Sequence, residues 1–207
     1  MPDTAATLVG VGRAGELSVD NDLTQSIRIA TECVLDGGVI AYPTEFCFGL
    51  GCNPDDEAAI KRLLKIKQRS AKQGLILIAS ATQQLDRYVE WDKLIASQLA
   101  HLKSTWPGPV SWLVPASERC SSLLRGEHTT LAVRIPAFKL MQDLCRSVQM
   151  PLVSTSANLH GKPALITAAR LETQLGEGID YIIDQPVEGL AQASQIIDAM
   201  TRKILRP

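Results

Sequence analysis

Four residues in two short stretches have the types and spacing to hold an anion: Lys67 and Arg69 in Lys-Gln-Arg, and Ser156 and Asn158 in Ser-Thr-Ser-Ala-Asn. If a helix ends near Lys67 and the chain then extends, residues two apart point the same way. An ammonium and a planar guanidinium would then converge on one group. Ser154, Ser156 and Asn158 share a side in the same manner and offer two hydroxyls and an amide to phosphate oxygens. Each stretch alone also has a plainer explanation, a solvated basic face for the first and a turn or cap for the second. Around the first, Lys61, Arg62, Lys65, Lys67, Arg69 and Lys72 fall within a dozen residues with no acid among them. Like charges at the Lys61, Lys65, Arg69 spacing cost a helix about 0.2–0.5 kcal/mol per pair, which a polyanionic ligand would offset. Arg134 stands inside the apolar run 130–135 and needs a partner there, since an unpaired buried charge is costly; a nearby carboxylate is the structural option.

Other chemistries find little support. His101, His128 and His160 do not cluster, and no zinc-type His pair, nucleophile elbow or P-loop motif occurs. Cys33, Cys47, Cys52, Cys120 and Cys145 are odd in number and lack a C-x-x-C, so free buried thiols in a reducing cytosol are expected instead of disulfides or zinc. The net charge is −1, so any nucleic-acid contact must use a local patch. The start of the chain does not read as a signal peptide, and no run approaches a membrane span.

These side chains need a scaffold, and the pattern supplies an α/β one. Residues 1–20 read as a loose leader and 21–207 as a single domain. A first helix beginning near Asn21 or Asp22 carries Leu23, Ile27, Ala30, Cys33 and Val34 and ends at Gly37-Gly38. Residues 38–80 form a strand–loop–helix–strand unit. Its first strand is Val39–Tyr42, Pro43-Thr44-Glu45 stops it, and Gly49 and Gly51 allow tight turns. Asn53 caps the helix with Pro54 at its first position. Ala59, Ile60, Leu63 and Leu64 form the helix's apolar face, and 75–79 is the second strand. Short helices follow over 80–90 and after Asp92. Trp106-Pro107-Gly108-Pro109 is a rigid turn before a strand at 110–114. The strand at 130–135 follows without a long helix between, so the sheet is mixed. A helix after Pro136, a strand at 151–153, a helix over 167–175 and late strands at 181–183 and 195–197 complete the set. Ligands are expected in the crevice beyond the strand ends.

With these stretches in order, Tyr-Pro-Thr-Glu-x-x-Phe-Gly-Leu-Gly, Lys-Ile-Lys-Gln-Arg, Trp-Pro-Gly-Pro-Val-Ser, Leu-Ala-Val-Arg-Ile-Pro and Ser-Thr-Ser-Ala-Asn-x-x-Gly, the chain resembles the threonylcarbamoyl-AMP synthase family, also called the YrdC or TsaC family, in its short bacterial form. The match runs from about Gln25 to the end. It implies a twisted mixed sheet flanked by helices around an open basic cleft. It also implies a cytoplasmic nucleotidyltransferase that makes threonylcarbamoyl-AMP from L-threonine, bicarbonate and ATP and releases pyrophosphate. The product would pass to tRNA threonylcarbamoyl-transfer proteins that modify adenosine 37. Mg²⁺ is expected with ATP, although no compact carboxylate site for it is legible. By resemblance, Lys67, Arg69, Ser156 and Asn158 are catalytic. Thr44, Arg134 and Ser194 hold threonine; Lys67, Arg69, Thr130, Asn158, Thr167 and Arg206 hold ATP. For Thr167 a plain helix N-cap is an equal alternative. The family also suggests a rival, a non-catalytic binder of tRNA or other structured RNA through the same cleft, which the neutral charge and few aromatics disfavour. Phe48, Ser70, Gln73, Ile78, Ser111 and His160 depart from the common pattern and put individual contacts in question.

Overall fold

The computed structural model describes residues 19–159, 161–190 and 192–207. Nine strands form one sheet among the described residues: β1 (Ile40–Pro43), β2 (Phe48–Gly51), β3 (Ile76–Ile78), β4 (Val110–Pro115), β5 (Thr130–Arg134), β6 (Leu152–Ser156), β7 (Tyr181–Ile182), β8 (Gln195–Asp198) and β9 (Ile204–Arg206). Their order is β7-β1-β2-β6-β3-β5-β4-β8-β9. β1–β7, β3–β5 and β4–β8 are parallel and the remaining neighbours antiparallel, so the sheet is mixed, as expected. β6 joins the halves: Leu152–Ser154 pair with β3, and Thr155 and Ser156 with β2. The helices are α1 (Val19–Leu35), α2 (Glu57–Lys67), α3 (Ala96–Ser104), α4 (Ser122–Arg125), α5 (Lys139–Ser147) and α6 (Ala168–Leu175). None among the described residues is long and apolar enough to cross a membrane. Most of the expected leader lies outside the described residues; its last two positions open α1.

Successive strand side chains point to opposite faces, and here they enter two different cores. Ala41, Leu77, Val133, Trp112 and Val153 meet α2, α3, α4 and α6 on one face. Ile40, Tyr42, Ile78 and Leu152 meet α1 and α5 on the other. The first face is apolar across the sheet. Beyond Ile78 the second face is mixed: the strand positions Ser111, Thr130, Arg134 and Ser154 stand among Leu113, Ala132 and Ile196, with Ser194 just before β8. No helical layer closes over that stretch, and a cavity remains.

Several local expectations are corrected. Gly49 and Gly51 lie inside β2 and not in turns. A Cβ on Gly51 would come within 2.8 Å of both the Tyr42 ring and the Val153 carbonyl, so the residue is small to let Tyr42 pack. Asn53 caps only a turn, accepting from Asp55 N at 2.9 Å. The helix begins later, because the Asp56 carboxylate takes the N–H groups of Ala58 and Ala59. Residues 80–90 make only a short 3₁₀ turn at Thr82–Leu85, and Asp92 sits in another. α1 starts at Val19, and β9 was not anticipated. The five cysteines are free and, except for Cys33, buried.

Candidate active site

The open part of the sheet face forms a cavity of about 640 Å³, within the range of small-molecule sites. The expected crevice beyond the strand ends is therefore replaced by a surface laid across β8, β4, β5, β3 and β6. Thr44, Arg69, Thr130, Arg134, Ser156, Asn158, Ser194 and Arg206 all line it. Lys67 and Thr167 do not.

Lys67 and Arg69 part company because of one residue. α2 ends at Lys67, but Gln68 is left-handed (φ 50°) and not extended. The N–H groups of Gln68 and Arg69 return to the Lys65 and Leu64 carbonyls, each at 3.0 Å. Arg69 thus swings to the cavity wall, where Nη2 donates to the Gly74 carbonyl at 2.8 Å. Its buried Nε has no acceptor among the described residues. Lys67 is only 3 % exposed and sits behind the β6 loop. Its ammonium donates to the Ser156 carbonyl, to the Asn158 carbonyl at 2.9 Å and to Asn158 Oδ1 at 3.3 Å. Burial, aided by Arg69, lowers its pKa to about 8.

That loop uses much of its own polar capacity. Ser156 Oγ donates to Asn158 Oδ1 at 2.6 Å, and Asn158 Nδ2 donates to the Leu159 and Lys162 carbonyls at 3.1 and 2.7 Å. Asn158 therefore shapes the loop around Lys67 instead of offering a free amide. Ser154 Oγ accepts from the Tyr42 hydroxyl at 2.9 Å and keeps its own proton to donate.

At the other end, Arg134 is 8 % exposed. Its Nε donates to the Gly108 carbonyl at 2.8 Å, and Nη2 pairs with Glu45 Oε1 at 2.5 Å. The carboxylate that the sequence required for Arg134 is thus Glu45, a residue the motif contained but for which no role was read. The available signal was an acid flanked by Thr44, Phe46 and Cys47. The Trp-Pro-Gly-Pro turn presents the Gly108 carbonyl, and a side chain at Gly108 would strike the Thr105 carbonyl. Thr44 Oγ1 donates to the Cys47 carbonyl at 2.6 Å and orders the same turn.

Along the third side, Arg206 Nε and Nη2 hold the Ser194 carbonyl at 2.9 and 2.6 Å, and Nη2 reaches Ser194 Oγ at 3.1 Å. Ser194 Oγ also bonds Ser111 Oγ at 2.9 Å. Burial first, then Arg134 and Arg69, push the pKa of Arg206 down. Arg206 thus feels the positive charge of two other guanidiniums that line the same cavity. Three other members of the basic cluster behave differently: Lys61 pairs with Glu57, Arg62 with Asp180 and Lys72 with Glu127. The like-charge cost expected of Lys61, Lys65 and Arg69 is eased because Glu57 pairs with Lys61 and Arg69 lies beyond the end of α2.

Thr167 caps α6, accepting from Arg170 N at 3.4 Å, in line with the plainer of its two readings. Among the departures, Gln73 and Ile78 line the cavity, Ser70 caps the turn at Ala71–Gln73, and His160 lies outside the described residues. No group of three or more His, Cys, Asp or Glu able to hold a metal occurs among the described residues.

A family model for Sua5, YciO and YrdC, described as telomere recombination, matches residues 32–207. A threonylcarbamoyl-AMP synthase of Psychromonas ingrahamii is 44% identical over 171 residues, 82% of this chain and 90% of the relative. One of Vibrio vulnificus is 44% identical over 184 residues, 89% and 99% of the two chains. The structure of P. abyssi Sua5 complexed with L-threonine superposes with a TM-score of 0.81 at 32% identity, covering 87% of this chain. The present chain spans 53% of that longer protein. E. coli YciO shares the fold, with a TM-score of 0.71 at 23% identity over 88% of this chain and 91% of its own.

Proposed function

The chain belongs to the Sua5–YciO–YrdC family, and from that premise we propose that it is a threonylcarbamoyl-AMP synthase. It condenses L-threonine, bicarbonate and ATP to threonylcarbamoyl-AMP, pyrophosphate and the water lost in forming the carbamate. The observation that carries this reading is the convergence of the Arg69, Arg134 and Arg206 guanidiniums on one uncovered cavity of the sheet face, where the first two disfavour the charge of Arg206. Such a face calls for a ligand with several negative charges. The near end-to-end match to synthases of like length supports the catalytic reading over the RNA-binding one.

In this reading the threonine carbamate attacks the α-phosphate of ATP, and pyrophosphate leaves. The step needs positioning and charge neutralisation more than a protein nucleophile. Arg69, with Nε free, neutralises phosphate and carbamate. Ser156 orients the reacting groups, while Lys67 and Asn158 act by holding its loop. Arg134 takes the threonine carboxylate, with Thr44 and Ser194 alongside. Thr130 and Arg206 face ATP, and the Thr167 hydroxyl belongs to the α6 cap. Glu45 is the acidic residue in the described cavity wall and is already bound to Arg134, so these residues do not build a magnesium site. We propose that Mg²⁺ arrives on the ATP phosphates. The protein acts in the cytoplasm, and its product passes to tRNA threonylcarbamoyl-transfer proteins.

The test is pyrophosphate release from ATP. It is expected to require both threonine and bicarbonate and to persist without tRNA. Equal turnover with either small substrate omitted would sink the synthase reading.

A further inference from the structure

The cavity wall contains a buried charge that the reaction as described does not use. Glu45 is 4 % exposed, and its Oε1 pairs with Arg134. Its Oε2 is buried and has no hydrogen-bond donor among the described residues. A carboxylate oxygen left so is costly unless a ligand supplies the donor. The turn that carries it is held in place: Leu190 N donates to the Glu45 carbonyl at 2.7 Å, and Thr44 orders the residues around it.

We propose that Glu45 is the acceptor for the substrate's α-ammonium group, so that Glu45 and Arg134 form a clamp for a zwitterion. The inference rests on the reading that the substrate is the free amino acid threonine. The ammonium and carboxylate of an α-amino acid hang from one carbon. A carboxylate on Arg134 therefore brings the ammonium within reach of the group that touches Arg134. The fork has room for this, because Nε is taken by Gly108 and Nη2 by Glu45, leaving the Nη1 hydrogens. Charge points the same way. A cationic ammonium must enter a cavity lined by Arg69, Arg134 and Arg206, and Glu45 is the carboxylate in its described wall. Ile78, registered opposite Arg134, and Met141 close this end with apolar surface suited to an aliphatic side chain.

Calorimetric titration of the full chain with two probes tests the clamp. One is L-threonine; the other is the 2,3-dihydroxybutanoate of the same configuration, in which a hydroxyl replaces the ammonium. Wild type is expected to prefer threonine by about 10- to 150-fold, the range of a hydrogen bond to a charged group. Glu45→Gln is expected to lose that preference, with threonine and the hydroxy acid bound within about twofold of each other, far inside that range, whatever change the two ligands share through Arg134. If Glu45 only holds Arg134, both ligands weaken by the same factor, the preference survives and the clamp is overturned. Should Glu45→Gln not fold, the wild-type comparison still decides, because equal affinities for the two probes overturn the proposal. That outcome leaves threonine as a ligand and the synthase reading standing. A wild type that binds no threonine removes both.

Discussion

Lys67, behind the loop that edges the cavity, and Arg134, in the cavity wall, are both buried cations, and they are compensated in opposite ways. Around Lys67 the acceptors are neutral, two backbone carbonyls and an amide oxygen. Desolvation therefore dominates, and its pKa falls to about 8. Around Arg134 burial also lowers the pKa, but the Glu45 carboxylate pulls it back. The first is a brace whose deprotonation strands no opposite charge. The other is a charge pair in which neither member can be removed alone. Two cations that look alike in the sequence thus carry different liabilities, set by what packs beside them.

The largest effect is expected from breaking the pair. Arg134→Met strands Glu45 and should lower the free energy of unfolding by about 3–5 kcal/mol, with Glu45→Leu in the same chain recovering most of it. Urea titration reads both. A single variant within about 0.5 kcal/mol of wild type would mean that the pair is not a linked unit.

Next in size is Arg69→Ala. It lines the cavity but belongs to no core, so turnover should fall about 100- to 1000-fold while stability moves by about 0.5 kcal/mol. Normal turnover in a stable protein would take Arg69 out of the chemistry.

Lys67→Met should act on both quantities, since it removes the brace from the Ser156–Asn158 loop. The stranded carbonyls should reduce stability by about 1–3 kcal/mol. The brace also has a pH signature. Folding lowers the Lys67 pKa from 10.5 to about 8, so between those values the unfolded chain holds a proton that the folded chain lacks. Stability contributed by this group rises with pH across that window. The buried thiols of Cys47 and Cys52, raised by burial to about 11 and about 12, act in the opposite sense above pH 9, their ordinary value. Subtracting the variant's stability–pH curve from that of wild type isolates Lys67. A flat difference curve across the window would show that Lys67 is not desolvated.

The smallest effect sharpens the comparison from outside the cavity. Thr167→Ala should cost about 0.5–2 kcal/mol through loss of a helix cap, with ATP affinity unchanged. A weakened ATP affinity in calorimetry would return Thr167 to the nucleotide site.

Legibility followed range along the chain. The apolar face of α2 and the apolar run of β3 are local patterns, and periodicity and run length expose them. The anion-binding residue types were visible for the same reason, because short-range spacing carries them. Long-range facts were not. Gly49 and Gly51 resemble turn residues until Tyr42 and Val153 are placed against them. Nothing within 66–70 announces that Gln68 is left-handed, since its conformation is held by returning bonds to Leu64 and Lys65 at the end of a docked helix.

The site's location belongs to the tertiary level for a deeper reason. Alternation reveals that a strand has two faces, but not how far the layer on each face extends. α1 and α5 cover one part of the second face and stop, and only strand order decides which side chains lie beyond them. Glu45 and Arg134 stand 89 residues apart. Arg134 stands out in the sequence as a charge in an apolar run, Glu45 does not, and each needs the other to make sense. Strand pairing joined them, because burial makes an unpaired charge untenable and the folded chain brings β5 and the turn after β1 to the same cavity.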